Sequence, residues 1–146
     1  MSSSAPRIIP EHCSTQTAHR VSVADTDMMG IVHHANYVLL FERGRLEYLR
    51  RRGLPYKDMV GRGLHMPVVE LNVRYRKPAQ FDDRLVIHAR VGELRGARFR
   101  FEYEVKRDGE LLADGWTSHA CVDATTFRPT RIPQALADSI ARAEAL

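Results

Sequence analysis

Two carboxylates stand close together in residues 25–30, which read Asp-Thr-Asp-Met-Met-Gly and lie between a strand-like and a helix-like segment. An acidic side chain at such a junction can face the helix N-terminus, whose first backbone N–H groups have no partner within the helix. This geometry suits a reaction in which negative charge develops on an oxygen atom. The segment is therefore the first candidate for chemistry in this chain.

Other roles for these carboxylates have different requirements. A calcium-binding loop that began at Asp25 would need Asp or Asn at its fifth position and Glu at its twelfth, where the chain has Met29 and Asn36. An Asp before a helix is commonly a cap or a turn former. We assign that structural role to Asp25 more readily than to Asp27, which stays the candidate for chemistry.

Metal and nucleotide chemistry lack their usual sequence signatures. His33 and His34 are adjacent and would point about 100° apart on a helix, so they could hardly share one metal ion. The sequence has no G-x-S-x-G elbow, no P-loop and no G-x-G-x-x-G motif. We expect no metal and no cofactor, and chemistry that depends on a carboxylate and the backbone.

The elements that must position this segment follow from periodicity and turn residues. Residues 17–24 predict a strand, a helix is expected from near His34 to just before Gly53, and residues 128–146 predict a C-terminal helix. Four more strands are predicted, at Val68–Arg76, Leu85–Val91, Arg98–Lys106 and Leu111–Val122. Asp108 and Gly109 indicate a tight hairpin, Gly92 and Gly96 a second reversal, and residues 78–83 a third connection.

The long helix has apolar side chains around most of its circumference. One face carries Tyr37, Phe41, Gly44 and Tyr48, whereas Leu39 and Leu46 project from nearly the opposite side. Such a helix is normally buried on more than one side, by a sheet or by another subunit. Arg43 and Glu47 form the solvated sector, where Glu47 can pair with Arg43 and Arg51.

The predicted strands favour one antiparallel sheet. The third of the four alternates strictly, with Phe99, Phe101, Tyr103 and Val105 on one face. Its other face is charged and should meet water or a polar partner, and successive strands are expected to pair antiparallel. The layout is α+β, a sheet on one central helix, in a single domain over residues 15–146 preceded by a disordered lead over residues 1–14.

Composition restricts the class of protein further. The chain has 146 residues and a formal charge of +4, and no apolar run approaches the roughly 20 residues that a membrane-spanning helix needs. The first ten residues lack the apolar core of a signal peptide, so a cytoplasmic location is the expectation. Cys13 and Cys121 make no disulfide framework. The excess of basic residues could attract nucleic acid, but arginines alternate with Glu102 and Glu104, which disfavours that interpretation.

Two blocks of the sequence resemble the 4-hydroxybenzoyl-CoA thioesterase family, and within it the Tol-Pal-associated acyl-CoA thioesterases. Residues 23–37 read Val-Ala-Asp-Thr-Asp-Met-Met-Gly-Ile-Val-His-His-Ala-Asn-Tyr, followed by Phe-Glu-Arg at 41–43 and Arg-Leu-Glu at 45–47. Residues 73–86 read Val-Arg-Tyr-Arg-Lys-Pro-Ala-Gln-Phe-Asp-Asp-Arg-Leu-Val. Together the blocks are far more specific than either motif alone, and the resemblance extends over residues 17–122.

The resemblance implies a hot-dog fold and hydrolysis of an acyl-CoA to free acid and CoA. It makes Asp27 the catalytic carboxylate, as nucleophile or general base, and assigns polarisation of the thioester carbonyl to the backbone N–H near His34. It places Gly30 and Tyr37 at substrate-binding positions. Arg95 and Arg98 correspond to the region that binds CoA phosphates, although Gly96 and Ala97 replace further basic positions. The family also implies a homodimer or homotetramer with active sites between subunits.

Two alternative functions for a hot-dog protein each differ from a thioesterase in one sequence feature. A hot-dog dehydratase would need a His-plus-carboxylate signature that the sequence does not show. A non-catalytic acyl-CoA-binding or regulatory protein would keep the fold and lose the working carboxylate, whereas Asp27 and Gly30 are both present. The identity of the acyl group is left open by the sequence, because the pocket depends on side chains that meet across a subunit interface.

Overall fold

Seven strands and three α-helices make up residues 15–145, the part of the chain that the computed structural model describes. The strands are β1 Thr15–Arg20, β2 Leu64–His65, β3 Val68–Tyr75, β4 Arg84–Arg95, β5 Arg98–Arg107, β6 Glu110–Ala120 and β7 Val122–Asp123. The helices are α1 Asn36–Arg51, α2 Tyr56–Gly61 and α3 Gln134–Glu144. The predicted lead over residues 1–14, which includes Cys13, lies outside the described residues.

Five strands form one antiparallel sheet in the order β1-β4-β5-β6-β3, and β2 pairs with β7. The antiparallel α+β layout is therefore confirmed. Pairing of successive strands is wrong for β3 and β4, because β3 pairs with β6 whereas β4 pairs with β1. The connection over residues 76–83 crosses the sheet and is held by a hydrogen bond from the Asp82 N–H to the Val21 carbonyl of 3.0 Å.

The core lies between α1 and the inner face of the sheet. The predicted face of α1 is buried, and the Phe41 ring stacks on Tyr103 with centroids 4.2 Å apart. Gly44 allows this approach, since a Cβ there would stand 2.9 Å from Ile87 Cγ2. The opposite side of α1 is not covered within one subunit, because Leu39 is 54% exposed. Its burial by another subunit stays a prediction.

Several predicted element boundaries are wrong for local reasons. Helix α1 begins at Asn36, two residues after the predicted start near His34, and the predicted strand over residues 17–24 ends at Arg20 because residues 23–25 form a 3-10 helix. Gly92 lies inside β4, where the pairing with β5 shifts by one residue, so the reversal involves Gly96 alone of the two glycines. Helix α3 begins only after Pro133.

The charged face of β5 is less exposed than its sequence predicts. Glu104 is 2% exposed and lies 3.9 Å from the Lys106 ammonium group. Part of this charged face is therefore buried within the subunit. No helix in residues 15–145 is long and apolar enough to cross a membrane.

Candidate active site

A tight reversal between β1 and α1 presents Asp27. The Asp27 N–H donates to the Ile31 carbonyl over 2.9 Å, and the Gly30 N–H donates to the Asp27 carbonyl over 3.1 Å. Gly30 has a φ of +76°, a conformation that glycine adopts without steric cost. The Met29 N–H donates to Asp27 Oδ1 over 2.8 Å. The carboxylate is thus held by its own loop, with one oxygen engaged.

Asp25 has a structural role in the same loop, as its position before the helix suggested. Its Oδ2 accepts the Ser22 N–H at 2.8 Å and lies 2.9 Å from His19 Nε2. Its backbone carbonyl accepts the His33 N–H at 2.9 Å and Asn36 Nδ2 at 2.8 Å. Partial burial opposes ionisation of Asp25, but the hydrogen bonds from Ser22 and His19 outweigh it and lower the pKa of the carboxyl group.

His19 connects the Asp25 carboxylate to Arg43. Arg43 Nη1 lies 2.6 Å from His19 Nδ1, and a guanidinium group can only donate, so Nδ1 accepts and Nε2–H donates to Asp25. The predicted pairing of Glu47 with Arg43 is therefore wrong, because Arg43 turns toward β1. The pairing of Glu47 with Arg51 is confirmed at 3.3 Å.

Replacing Asp25 with asparagine is expected to lower the free energy of unfolding at pH 7 by about 1 kcal/mol. The hydrogen bonds from Ser22 and His19 outweigh partial burial and hold the pKa of this carboxyl group below its ordinary value in the folded state. Its contribution is therefore complete above the unfolded pKa and is lost as pH falls through the folded pKa. Urea unfolding of both proteins at pH 7 and pH 3 measures this, and an unchanged difference at pH 3 would contradict it.

The backbone turn before α1 leaves one donor without a partner. The His33 N–H binds the Asp25 carbonyl, the Ala35 N–H binds His33 Nδ1 at 3.2 Å, and the Asn36 N–H binds the His33 carbonyl at 2.9 Å. The His34 N–H has no hydrogen-bond acceptor among residues 15–145. A backbone N–H in this position can receive an oxygen atom of a ligand.

Asp27 and His34 line one cavity of about 360 Å³. The cavity is bounded by the loop after β1, the start of α1 and the end of β3, with the lining residues Asp27, Met29, Ile31, Val32, His34, Tyr37, Tyr75, Arg76, Lys77 and Pro78. Both cations are already paired, Arg76 with Asp114 at 3.2 Å and Lys77 with Glu110 at 2.7 Å. The lining residues therefore combine apolar and aromatic side chains with one carboxylate residue that has no ion pair within residues 15–145, Asp27, and with His34, whose backbone N–H is unpaired there.

Tyr37 contributes a buried wall to this cavity. Its side chain is 2% exposed, and its ring meets the Tyr75 ring edge-on with centroids 5.2 Å apart. Burial disfavours the phenolate and raises the pKa of Tyr37, so the hydroxyl is protonated at neutral pH. Tyr37 can shape the pocket but cannot act as a base there.

The two arginines of the sequence prediction lie elsewhere in the subunit. Arg95 and Arg98 line a second cavity of about 340 Å³, together with Val69, Phe99 and His119. Arg95 Nε is 3.4 Å from Glu93, whereas Arg98 forms no ion pair with any residue in 15–145. One chain thus brings together Asp27, His34 and Tyr37, with Gly30 shaping the loop, and keeps the arginines apart from them.

Tyr75 and Met29 are site residues that the sequence analysis did not single out. The Tyr75 hydroxyl donates to the His34 carbonyl over 2.8 Å, and Met29 lines the cavity beside Asp27. Tyr75 falls within the second resembling block, so a signal was present. By periodicity alone it is only one position of an alternating strand, and its contact lies 41 positions away in sequence.

An antiparallel sheet packed on one long helix, with an acidic loop at the helix N-terminus, defines a protein of the hot-dog class. A structure of 4-hydroxybenzoyl-CoA thioesterase, a mutant complexed with 4-hydroxybenzoyl-CoA, has this fold and aligns with a TM-score of 0.80 at 22% identity, over 88% of this chain and 99% of that one. The predicted hot-dog fold is confirmed.

The family model described as the thioesterase-like superfamily matches residues 21–140, and the chain belongs to this family. YneP of Bacillus subtilis, a putative acyl-CoA thioesterase, is 36% identical over 119 residues, which cover 81% of this chain and 86% of the relative. The DHNA-CoA thioesterase from Staphylococcus aureus aligns with a TM-score of 0.86 at 31% identity, over 91% of this chain and 92% of that one. The resemblance to the 4-hydroxybenzoyl-CoA thioesterase family is thereby confirmed.

Proposed function

We propose that this protein hydrolyses an acyl-CoA thioester to the free acid and CoA. The observation that carries the proposal is that Asp27 and His34, whose N–H is unpaired among residues 15–145, line one cavity at the start of α1. Relatives at 36% and 31% identity that are named as CoA thioesterases support the same reaction. Asp27 is assigned to the attack on the thioester carbon, and the His34 N–H to the oxyanion that forms there.

The chemistry balances in either of two ways. As a general base, Asp27 takes a proton from a water molecule whose oxygen attacks the carbonyl carbon. The carbonyl oxygen becomes an oxyanion bound by the His34 N–H, and its collapse breaks the C–S bond to give the acid and CoA thiolate, which takes up a proton. As a nucleophile, Asp27 itself displaces CoA thiolate, and water then cleaves the acyl-Asp27 anhydride. Trapping this anhydride with hydroxylamine distinguishes the two.

The lining of the cavity favours an uncharged acyl group. Its walls are contributed by Met29, Ile31, Val32, Tyr37 and Pro78. The neighbouring cations are neutralised by carboxylates of this subunit, so a charged acyl terminus would lose water without gaining an ionic partner. Aliphatic and aromatic acyl chains both satisfy this condition.

The working unit in this proposal is a homodimer formed through β3. This strand is an edge of the sheet, and its side chains Val69 and Leu71 are 63% and 49% exposed. An exposed apolar edge strand is a template for pairing with another chain. In an antiparallel pair of β3 strands related by a two-fold axis, the Tyr75 end of one lies beside the Val69 end of the other.

This pairing would bring the separated site residues together. The Tyr75 end borders the cavity that contains Asp27, and the Val69 end borders the second cavity. The partner subunit's Arg98 and the partner subunit's Arg95 would then lie close to the entrance of the Asp27 cavity. Guanidinium groups bind phosphates through paired N–H donors, which suits the phosphates of CoA. A tetramer would keep this dimer as its unit.

Replacing Leu71 with glutamate is expected to shift the protein from dimer to monomer and to lower thioesterase activity in proportion. Two carboxylates would face each other across the β3 pair, where like charges are destabilising. Light scattering coupled to size exclusion measures the mass of each variant. Val60→Glu is the matched control, because Val60 is 43% exposed on α2. A dimeric, fully active Leu71→Glu protein would contradict the β3 interface.

Thiol release from a panel of acyl-CoAs tests the proposed function directly. The panel should contain short, long and aromatic acyl groups and one acyl group with a charged terminus. We expect turnover of uncharged acyl-CoAs and poor turnover of the charged one. A folded, dimeric protein that binds these compounds without releasing thiol would instead be an acyl-CoA-binding protein. The single domain over residues 15–146 and a cytoplasmic location stay predictions.

A further inference from the structure

The Tyr75 side chain connects the edge strand of the sheet to the turn that carries the proposed oxyanion donor. Tyr75 is the last residue of β3, and its hydroxyl donates to the His34 carbonyl over 2.8 Å. Its side chain also lines the cavity that contains Asp27. The Tyr75 hydroxyl is thus hydrogen-bonded to His34, the residue whose own N–H is unpaired.

The His34 turn is held on both of its sides. On the N-terminal side, the His33 N–H is bound to the Asp25 carbonyl at 2.9 Å. On the C-terminal side, the His34 carbonyl is bound by Tyr75. The unpaired His34 N–H belongs to the His33–His34 peptide, whose carbonyl accepts the Asn36 N–H at 2.9 Å. Tyr75 holds the next peptide, between His34 and Ala35, and so fixes the other side of the His34 Cα atom. Removing the Tyr75 hydroxyl would free that side, while the two backbone bonds of His33 would remain.

Tyr75 is itself well fixed. In the sheet it pairs with Ala113, and the next residue, Arg76, donates its N–H to the Leu112 carbonyl over 2.8 Å. Its ring meets the buried Tyr37 ring at an angle of 80°. The hydroxyl is therefore held by a paired strand and by an aromatic contact that does not depend on the hydroxyl.

We propose that Tyr75 is a positioning residue, whose hydroxyl holds the His34 carbonyl and thereby fixes the backbone at His34, so that the N–H of the same residue meets the oxyanion of the reaction. This inference rests on the proposed function. A donor gives its full effect in the transition state only if it is already aimed at the developing charge. Small misplacements of such groups cost up to about 10²-fold in rate. Tyr75 acts through His34 and need not touch the reacting atoms.

The test is Tyr75→Phe, which removes one hydroxyl and keeps the ring against Tyr37. We expect kcat for a good acyl-CoA substrate to fall about tenfold while KM stays within about twofold, because the lost effect belongs to the transition state. We also expect the amide resonances of His34 in a ¹⁵N–¹H spectrum to shift. A role limited to fold stability would lower the melting temperature without this division between kcat and KM.

Tyr56→Phe is the matched control, because it removes a hydroxyl that accepts the Met66 N–H at 3.3 Å outside the cavity. It should change neither kcat nor the His34 resonance. Wild-type kcat in Tyr75→Phe, together with an inactive Asp27→Asn, would overturn the positioning role and leave the proposed function standing. A wild-type protein that releases no thiol would overturn the proposed function and the positioning role with it.

Discussion

Asp27→Asn is expected to lower kcat for acyl-CoA hydrolysis by about 10²–10⁴-fold, the range for loss of a positioned acid–base group. Asparagine is nearly the same shape and offers an oxygen in place of Oδ1, which accepts the Met29 N–H in the native loop. The loop should keep its conformation while the negative charge is lost. Since substrate binding does not depend on that charge, KM should stay within about threefold.

The rate of thiol release at saturating substrate measures the effect on kcat. Asp58→Asn, on the exposed side of α2, is the matched control and should keep wild-type kinetics. Unfolding curves of both variants should superpose on the wild-type curve within about 1 kcal/mol. A tenfold loss of kcat corresponds to about 1.4 kcal/mol of activation free energy. If the Asp27→Asn protein kept more than one tenth of wild-type kcat, Asp27 would not be the catalytic carboxylate.

Gly115→Ala is expected to reduce the free energy of unfolding by about 3 kcal/mol and the melting temperature by about 6–12 °C. Gly115 lies in β6 on the face toward α1. A Cβ there would collide with the backbone carbonyl oxygen of Asn72 and come within 3.0 Å of Phe41 Cε2. Neither group can rotate away, because one is the backbone of β3 and the other is stacked on Tyr103. Strand β3 would have to move.

The matched control is Gly61→Ala, at the C-terminal end of α2. A Cβ there would have nothing within 4 Å, and alanine is a better helix former than glycine, so the change should be neutral or slightly stabilising. Thermal unfolding followed by circular dichroism compares the two variants with the wild type. Equal melting temperatures for all three proteins would contradict this prediction, because they would show that β3 and β6 can move apart at Gly115 with little loss of stability.

Periodicity was sufficient to predict the elements that bury one regular face. Strand β5 alternates without interruption from Phe99 to Val105, and α1 carries its apolar residues at helical spacing. The hairpin at Asp108 and Gly109 was predictable too, because both residues adopt the positive φ that such turns require. These features depend on residues close together in sequence, whose preferences agree.

Features set by distant residues could not be predicted. Gly92 looks like a turn former, but it lies in β4, where a Cβ would stand 2.5 Å from the Glu102 carboxyl group of the neighbouring strand. Helix α2 has a single buried side chain, Met59, and is too short for a periodic signal. Strand pairing between β3 and β6 depends on the path of the connection after Tyr75, which local residue preferences do not determine.

The candidate site was predictable where it is local. Asp27 and His34 lie seven positions apart, and the loop between them is described by one motif. The hydrogen bonds of this turn could not be predicted from the sequence. The His33 ring accepts the Ala35 N–H, whereas the His34 N–H is left without an acceptor among residues 15–145. Tyr75 joins the site only through the sheet, and the two arginines would join it only in the proposed dimer.

The pairing of β1 with β4 also bears on how the protein acquires its fold. Thr15 pairs with Ala89 and Arg20 with Arg84, which are 74 and 64 residues further along the chain. The segment leading to Asp27 is therefore synthesised before the strand with which it pairs. Closing such a long loop is entropically costly, and topologies rich in these contacts fold slowly. During refolding, recovery of activity should therefore lag behind formation of α1, which needs only neighbouring residues.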